Sequence, residues 1–322
     1  MALSVLDRFY LLDDGFFSFN LKYLFFVGLW PEENWTTNQK ILYKIYEYFI
    51  HCLTITFLIL AGIGTYQNKD DLIIVFSNLD KSLVVYNFLF KTIIFLMKRD
   101  ELRELIDEIE SSGDEVTEER KKLMANYVMV LTGMTAVLVG AFSLLALFEG
   151  TMSIEAWLPF DPMESLMNLI LSLQILAFCV FPGLCRAFAM QGLVCSLIMY
   201  LCDQLIHLQE ELSSLDMKET EMVTRIKFRK IIQKHIRLMG YSMKMENIFK
   251  EYFLIQNLAI TVELCLNAVM MTVVGIQQIT LLITFLAYLI IALINAYIYC
   301  YLGNELITQV NWLSDFLASD YP

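Results

Sequence analysis

Proline and glycine are scarce in this 322-residue chain, at 5 and 13. A soluble α/β protein of this length is expected to spend more glycine on its turns. Charge is thin too: 18% of residues are Asp, Glu, Lys or Arg, against roughly 25% in an average soluble domain. Seven cysteines, at 52, 179, 185, 195, 202, 265 and 300, all sit in or beside apolar stretches, and none forms a Cys-x-x-Cys pair. They read as small packing residues rather than a disulfide framework. The three histidines, 51, 207 and 235, lack metal-ligand spacing. No phosphate loop, H-E-x-x-H, G-x-S-x-G or kinase-type motif occurs. The chain is therefore not read as an enzyme, and no cofactor or metal is implied. No basic region, apolar stretch and small-residue cleavage site follow Met1, so the first spanning helix is expected to serve as the insertion signal.

Apolar residues make up 57% of the chain, and the mean hydropathy is +0.57. One soluble core cannot absorb that excess over the usual roughly 45–50%, so lipid is the expected solvent. The net charge of −12 is unevenly spread, with ten acids between Asp100 and Glu119. These read as a solvated face. No basic patch interleaves with aromatics, so no nucleic-acid partner is expected.

A spanning helix needs about 20 apolar residues. Six runs qualify: 41–64, 72–97, 127–148, 166–201, 252–275 and 279–302. The second is the weakest, because it carries Asp80, Lys81 and Lys91. The fourth exceeds a bilayer and is expected to continue beyond it. The predicted fold class is an all-α integral membrane protein. Its parts are an N-terminal segment 1–40, a six-helix bundle 41–302 with connections 98–124 and 203–250, and a tail 303–322.

Basic residues fix the expected orientation. Segments 1–40, 98–124 and 203–250 hold 18 Lys and Arg, whereas 65–71, 149–165 and 276–278 hold one, Lys69. The positive-inside rule then puts the N-terminus and both long connections in the cytosol, in a plasma-membrane protein. A G-protein-coupled receptor has the opposite orientation and usually an extracellular disulfide. On this topology the sequon Asn34-Trp35-Thr36 stays unmodified.

Within 203–250, Phe228, Ile232, His235, Met239 and Met243 recur at helical spacing. That stripe packs on neighbouring helices or serves subunit assembly. Asp80, Arg186 and Glu263 are the notable intramembrane charges. Asp80 and Lys81 are expected near a helix end, where charges reach interfacial water cheaply. Glu263 is placed to be buried, paired structurally or facing a pathway. No inverted repeat or matched pair of broken helices supports a transporter.

Several stretches resemble one family. These are Gly28-Leu29-Trp30-Pro31 before the first run, Trp157-Leu158-Pro159-Phe160-Asp161 before the fourth, and Gln174 and Asp203 within and after it. Two more are the approach from His235 to Asn247-Ile248-Phe249, and Tyr299-Cys300-Tyr301-Leu302-Gly303-Asn304-Glu305-Leu306. Together, over about 1–309, they look like the insect odorant receptors. The resemblance implies a seven-helix, ligand-gated cation channel with a cytosolic N-terminus. A tuning subunit of this kind binds a small volatile and assembles with an odorant co-receptor in a hetero-oligomer, expected to be a tetramer. The chain lacks the co-receptor's long insert in the second cytosolic connection and so looks like a tuning subunit. After Gln309 it departs from the pattern, and the 13 residues to Pro322 are too short to span. The expectation is a chain lacking the seventh helix, from an unspliced intron or an alternative isoform. A non-conducting truncated isoform is thus the alternative reading, with a small-solute transporter a lesser one.

The resemblance also implies an odorant pocket in the outer half of the bundle. The candidates there are Phe76, Leu79 and Leu83 from the second run, and Phe142, Ser143, Leu145 and Phe148 from the third. The fourth offers Leu173, Gln174 and Phe178, and the sixth Phe285 and Tyr288. Aromatic rings would supply contact area, and Ser143, Gln174 or Tyr288 a hydrogen bond.

Overall fold

Long apolar periodic segments with few breakers dictate long helices, and the chain forms them. In the computed structural model, residues 16–114, 116, 118–214, 221–274 and 279–320 are described. Among them are seven helices and no strand. They are α1 (Ser18–Phe26), α2 (Thr37–Gln67), α3 (Leu72–Ser111), α4 (Glu118–Glu149), α5 (Leu166–Ser213), α6 (Glu221–Val274) and α7 (Ile279–Asp320).

Helix starts follow local chemistry. Thr36 and Gln39 form a capping box on α2. The Asp71 carboxylate accepts the first free N–H groups of α3, and the Ser165 hydroxyl accepts from Asn168 N–H on α5.

Among the described residues, five helical stretches are long and apolar enough to cross a membrane. They are Thr37–Gln67, Leu72–Ser111, Leu166–Ser213, Met222–Val274 and Phe285–Trp312. The expected third run, 127–148, lies in α4, whose described apolar stretch is Val139–Glu149.

The helices outrun a bilayer. At 1.5 Å per residue, the 54 residues of α6 extend about 81 Å, against a hydrocarbon core of about 30 Å. The excess of α3, α5 and α6 gathers at one end of the bundle. There it forms the main core with α1 and the Leu29-Trp30 turn, around Leu102, Leu105, Met190, Leu193, Leu197, Tyr241 and Tyr252. α5 packs against every other helix, and α3 pairs most extensively with α6.

Three expectations change here. The connection 98–124, expected as a loop, is helical to Ser111 and again from Glu118. Leu102, Leu105, Ile106 and Ile109 recur at helical spacing and are buried, while the acids take the other face. The stripe divides: Phe228 packs against the main core and His235 is half-buried, whereas Ile232, Met239 and Met243 are exposed, because α6 buries the adjoining face, Ile231, Leu238, Tyr241, Met245 and Ile248. The segment after Gly303, set apart as a tail, continues α7 to Asp320 without a break. No proline or glycine interrupts it before Pro322.

The N-terminal segment is tied down by donors. Gly28 sits at φ +78°, a left-handed conformation that favours glycine. An added Cβ there would lie 3.0 Å from both Arg186 Nη2 and Tyr46 Cε1. Five carbonyls in and beside the turn accept from side chains. Tyr43 donates to Phe25 O (2.9 Å), Tyr46 to Phe26 O (2.9 Å), Arg186 to Val27 O (2.8 Å) and Gly28 O (3.3 Å), and Arg103 to Pro31 O (2.7 Å). The Gly28-Leu29-Trp30-Pro31 motif is thus a buried turn whose backbone is satisfied by side chains from α2, α3 and α5.

Candidate ligand-binding site

At the bundle end opposite the main core, a cavity of about 250 Å³ opens between the helices. Each element presents one face to it. α3 contributes Lys81, Val84, Val85 and Phe88, at i, i+3, i+4 and i+7. α5 contributes Leu173, Leu176, Ala177, Val180, Leu184 and Phe188. Phe57 of α2, Val139 and Ser143 of α4, Glu263 of α6 and Tyr288 of α7 complete the wall. Pro182 sits inside α5 between these lining turns. A proline frees a carbonyl and bends its helix.

Ser153 and Ile154, from the α4–α5 connection, roof the cavity. The roof is held by backbone bonds. Asn78 of α3 donates to Glu155 O at 2.8 Å and accepts from Glu155 N at 3.0 Å. Trp157 N donates to Leu60 O at 2.9 Å, and the Lys81 ammonium donates to Ser153 O. Burial raises the Glu155 carboxyl above the ordinary carboxylate range, offset in part by Lys81. Gly64 lies under this roof, where an added Cβ would fall 2.3 Å from Glu155 O and 2.7 Å from Ala156 Cα. Both are backbone atoms, so no side-chain rotation relieves the clash. Gly64→Ala is expected to displace the roof, cost about 1–3 kcal/mol and speed proteolytic nicking between 150 and 165. An unchanged cleavage rate would mean that the roof is not seated on α2.

Of the twelve candidate residues, the structure brings Ser143, Leu173 and Tyr288 together on the cavity wall. Leu83 and Leu145 are half-buried and do not border it. Phe76 and Phe285 pack with Met270 and Val274 in a separate cluster. Leu79, Phe148, Gln174 and Phe178 are exposed on the outside of the bundle, Phe148 by 88%. The Phe142 side chain lies outside the described residues. The split between Leu173 and Gln174 is the helical step of 100° per residue, which turns neighbours to different faces.

Three polar features of this region need the fold to be seen. Asp80 and Lys81 do not reach for interfacial water. Asp80 is buried and accepts from Asn267 Nδ2 at 3.0 Å, while Lys81 is held by Ser77 Oγ at 3.0 Å and by the roof. Glu263 borders the cavity itself. The sequence signal for all three is the same, an ionisable residue inside an apolar run.

The family model described as 7tm Odorant receptor matches residues 73–316. The match includes 310–316, which the motif reading sets apart. Among solved structures, the insect olfactory receptor OR5 from Machilis hrabei is similar at a TM-score of 0.63 and 14% identity, over 90% of this chain and 79% of that one. The same receptor in complex with eugenol is similar at 0.63 and 15%, with the same coverage. No curated protein matches. At that identity the structural likeness speaks for the fold, and the family match carries the assignment: this multi-pass helical membrane protein belongs to the odorant receptor family.

Proposed function

We propose that this chain is a tuning subunit that binds a small volatile in the cavity between α3, α4, α5 and α7, and with a co-receptor gates a cation channel. The carrying observation is the cavity: bordered by six helices and a seated roof, apolar on most of its wall, and about 250 Å³. A dry apolar cavity of roughly 150 Å³ already accommodates benzene, so a one-ring volatile fits here. The basic asymmetry of the connections supports a plasma-membrane orientation with the N-terminus and main core in the cytosol, and the cavity toward the outside. The exposed Ile232, Ile236, Met239 and Met243 on the far end of α6 form an apolar face that suits assembly with the co-receptor in a tetramer. The eugenol-bound state of OR5 from Machilis hrabei supports a small aromatic volatile as the ligand class.

The test is odorant-evoked current in cells expressing this chain with an insect co-receptor, against a panel of small aromatic alcohols, esters and hydrocarbons. Leu173→Trp fills the cavity from its wall. It is expected to lower apparent affinity by about tenfold or more while surface expression is retained. Undiminished responses in that variant would place the ligand elsewhere.

A further inference from the structure

The cavity wall is apolar except where Lys81, Ser143, Ser153, Glu263 and Tyr288 border it; the Ser143 hydroxyl is spent on Val139 O, and Ser153 O takes the Lys81 ammonium. The two charged groups there are not equally available. The Lys81 ammonium already donates to Ser77 Oγ and Ser153 O, and Asp80 and Glu155 lie within electrostatic reach. Of its three N–H donors, one is left. Lys91, the next cation on α3, does not border the cavity; it donates to Gln256 and lies over the Phe88 and Tyr252 rings. Asp80 takes the Asn267 amide. The Glu263 carboxyl, by contrast, makes no hydrogen bond among the described residues; Lys91 lies within electrostatic reach of it, but the Lys91 ammonium donates to Gln256 instead. A carboxyl set in an apolar wall is costly unless something pairs with it. In either protonation state it keeps an acceptor oxygen.

We infer that the cavity selects ligands carrying a hydrogen-bond donor, an ammonium or a hydroxyl, on a small apolar body, and that Glu263 is the specificity-determining acceptor. This rests on the cavity being the ligand site. The donor gives the Glu263 carboxyl the hydrogen bond it lacks, while the apolar body meets Val84, Leu176 and Val180. An anion meets Glu263 with Asp80 behind it, and the nearby cation is already engaged. A pure hydrocarbon fits the walls but leaves the Glu263 carboxyl without a hydrogen bond.

The experiment uses four probes of one shape: phenethylamine, 2-phenylethanol, ethylbenzene and phenylacetate. The readout is the melting-temperature shift of the purified full-length chain in lipid nanodiscs. The amine, the alcohol or both are expected to stabilise the wild-type chain at concentrations about tenfold below ethylbenzene, and phenylacetate is expected to give no shift. Stabilisation by the amine alone identifies an ammonium, and by the alcohol alone a hydroxyl. Glu263→Gln keeps an acceptor without the charge. It is expected to hold the alcohol within about threefold and to weaken the amine about tenfold. Glu263→Leu is expected to erase the donor preference while ethylbenzene still binds, which also shows the cavity intact. Should that variant fail to fold, Glu263→Gln decides alone. Ethylbenzene matching the donors in the wild-type chain, or an unchanged order in either variant, overturns the inference and leaves the cavity reading standing. No shift from any of the four overturns the cavity reading as well.

Discussion

Arg186→Met is expected to yield a chain that no longer runs as a single folded species, with a melting temperature too low to measure beside the wild type. Arg186 is buried, 2% exposed, and its guanidinium donates to three backbone carbonyls, Val27 at 2.8 Å, Gly28 at 3.3 Å and Glu47 at 3.1 Å. Bonds from a charged donor contribute about 1.5–3 kcal/mol each. Allowing for non-additivity, losing the cluster costs about 3–5 kcal/mol, a large share of a typical stability of about 5–15 kcal/mol. The carbonyls cannot turn to water, since Val27, Gly28 and Leu29 are themselves buried. Arg186→Lys is expected to recover little, because one ammonium lacks the fork that spans Val27 and Glu47. Size-exclusion profiles and thermal melts in detergent check both. A wild-type melt for Arg186→Met would mean that Tyr43, Tyr46 and the Trp30 contacts hold the turn unaided.

The second large effect is expected at Gln256. The Lys91 ammonium, 1% exposed, donates to Gln256 Oε1 and lies 5.4 Å from the Phe88 ring centroid and 4.9 Å from that of Tyr252. Gln256 is equally buried, and its Nε2 has no hydrogen-bond partner. Neutral polar pairs between membrane helices average only about 0.6 kcal/mol. This pair contains a buried charge, and removing Gln256 takes its hydrogen-bond acceptor and leaves only the more distant Glu263 to offset it, so Gln256→Leu is expected to cost about 3–5 kcal/mol. Lys91→Met strands only an amide oxygen and is expected to cost about 1–3 kcal/mol. The double variant should recover most of the loss, because two apolar side chains replace the pair in an apolar setting. A double-mutant cycle on melting free energies measures the coupling. Additive single effects would show that the rings and Glu263 hold the ammonium without Gln256.

Much of this architecture is legible in the sequence because lipid imposes a simple rule: a long apolar run must become a helix. The runs beginning at 41, 72, 166, 252 and 279 all lie in helices of the structure. The extension of α5 beyond a bilayer is also readable, since Arg186 is the one charge between Glu164 and Asp203. The cavity wall is harder. A helix apolar on every side carries no periodic mark of which face turns inward, so Leu173 and Gln174, or Ser143 and Phe148, are equivalent until neighbouring helices are placed. Asp80 and Lys81 announce themselves as intramembrane charges, yet which atoms they meet is decided by Asn267 across the α3–α6 contact and by the roof at Ser153. The helical stretch 98–111 was obscured for a different reason. Dense acids suggest solvent, and they do face it, but Leu102, Leu105 and Ile109 bury the other side.

The helix α6 runs unbroken from Glu221 to Val274, with no proline along it. Glu263 at the cavity and Ile231 in the main core are 32 residues apart on this one rod, which is about 48 Å of rise. A rod of that span works as a lever. A tilt of about 3° pivoting near Glu263 would hardly disturb a cavity contact, yet it would carry the Ile231 end sideways by about 2.5 Å. That is enough to shift a side chain out of its socket between neighbours, on the same stretch whose other face presents Ile232 and Ile236. A very small movement of the cavity wall at Glu263 is therefore enough to put the far end of the rod somewhere else.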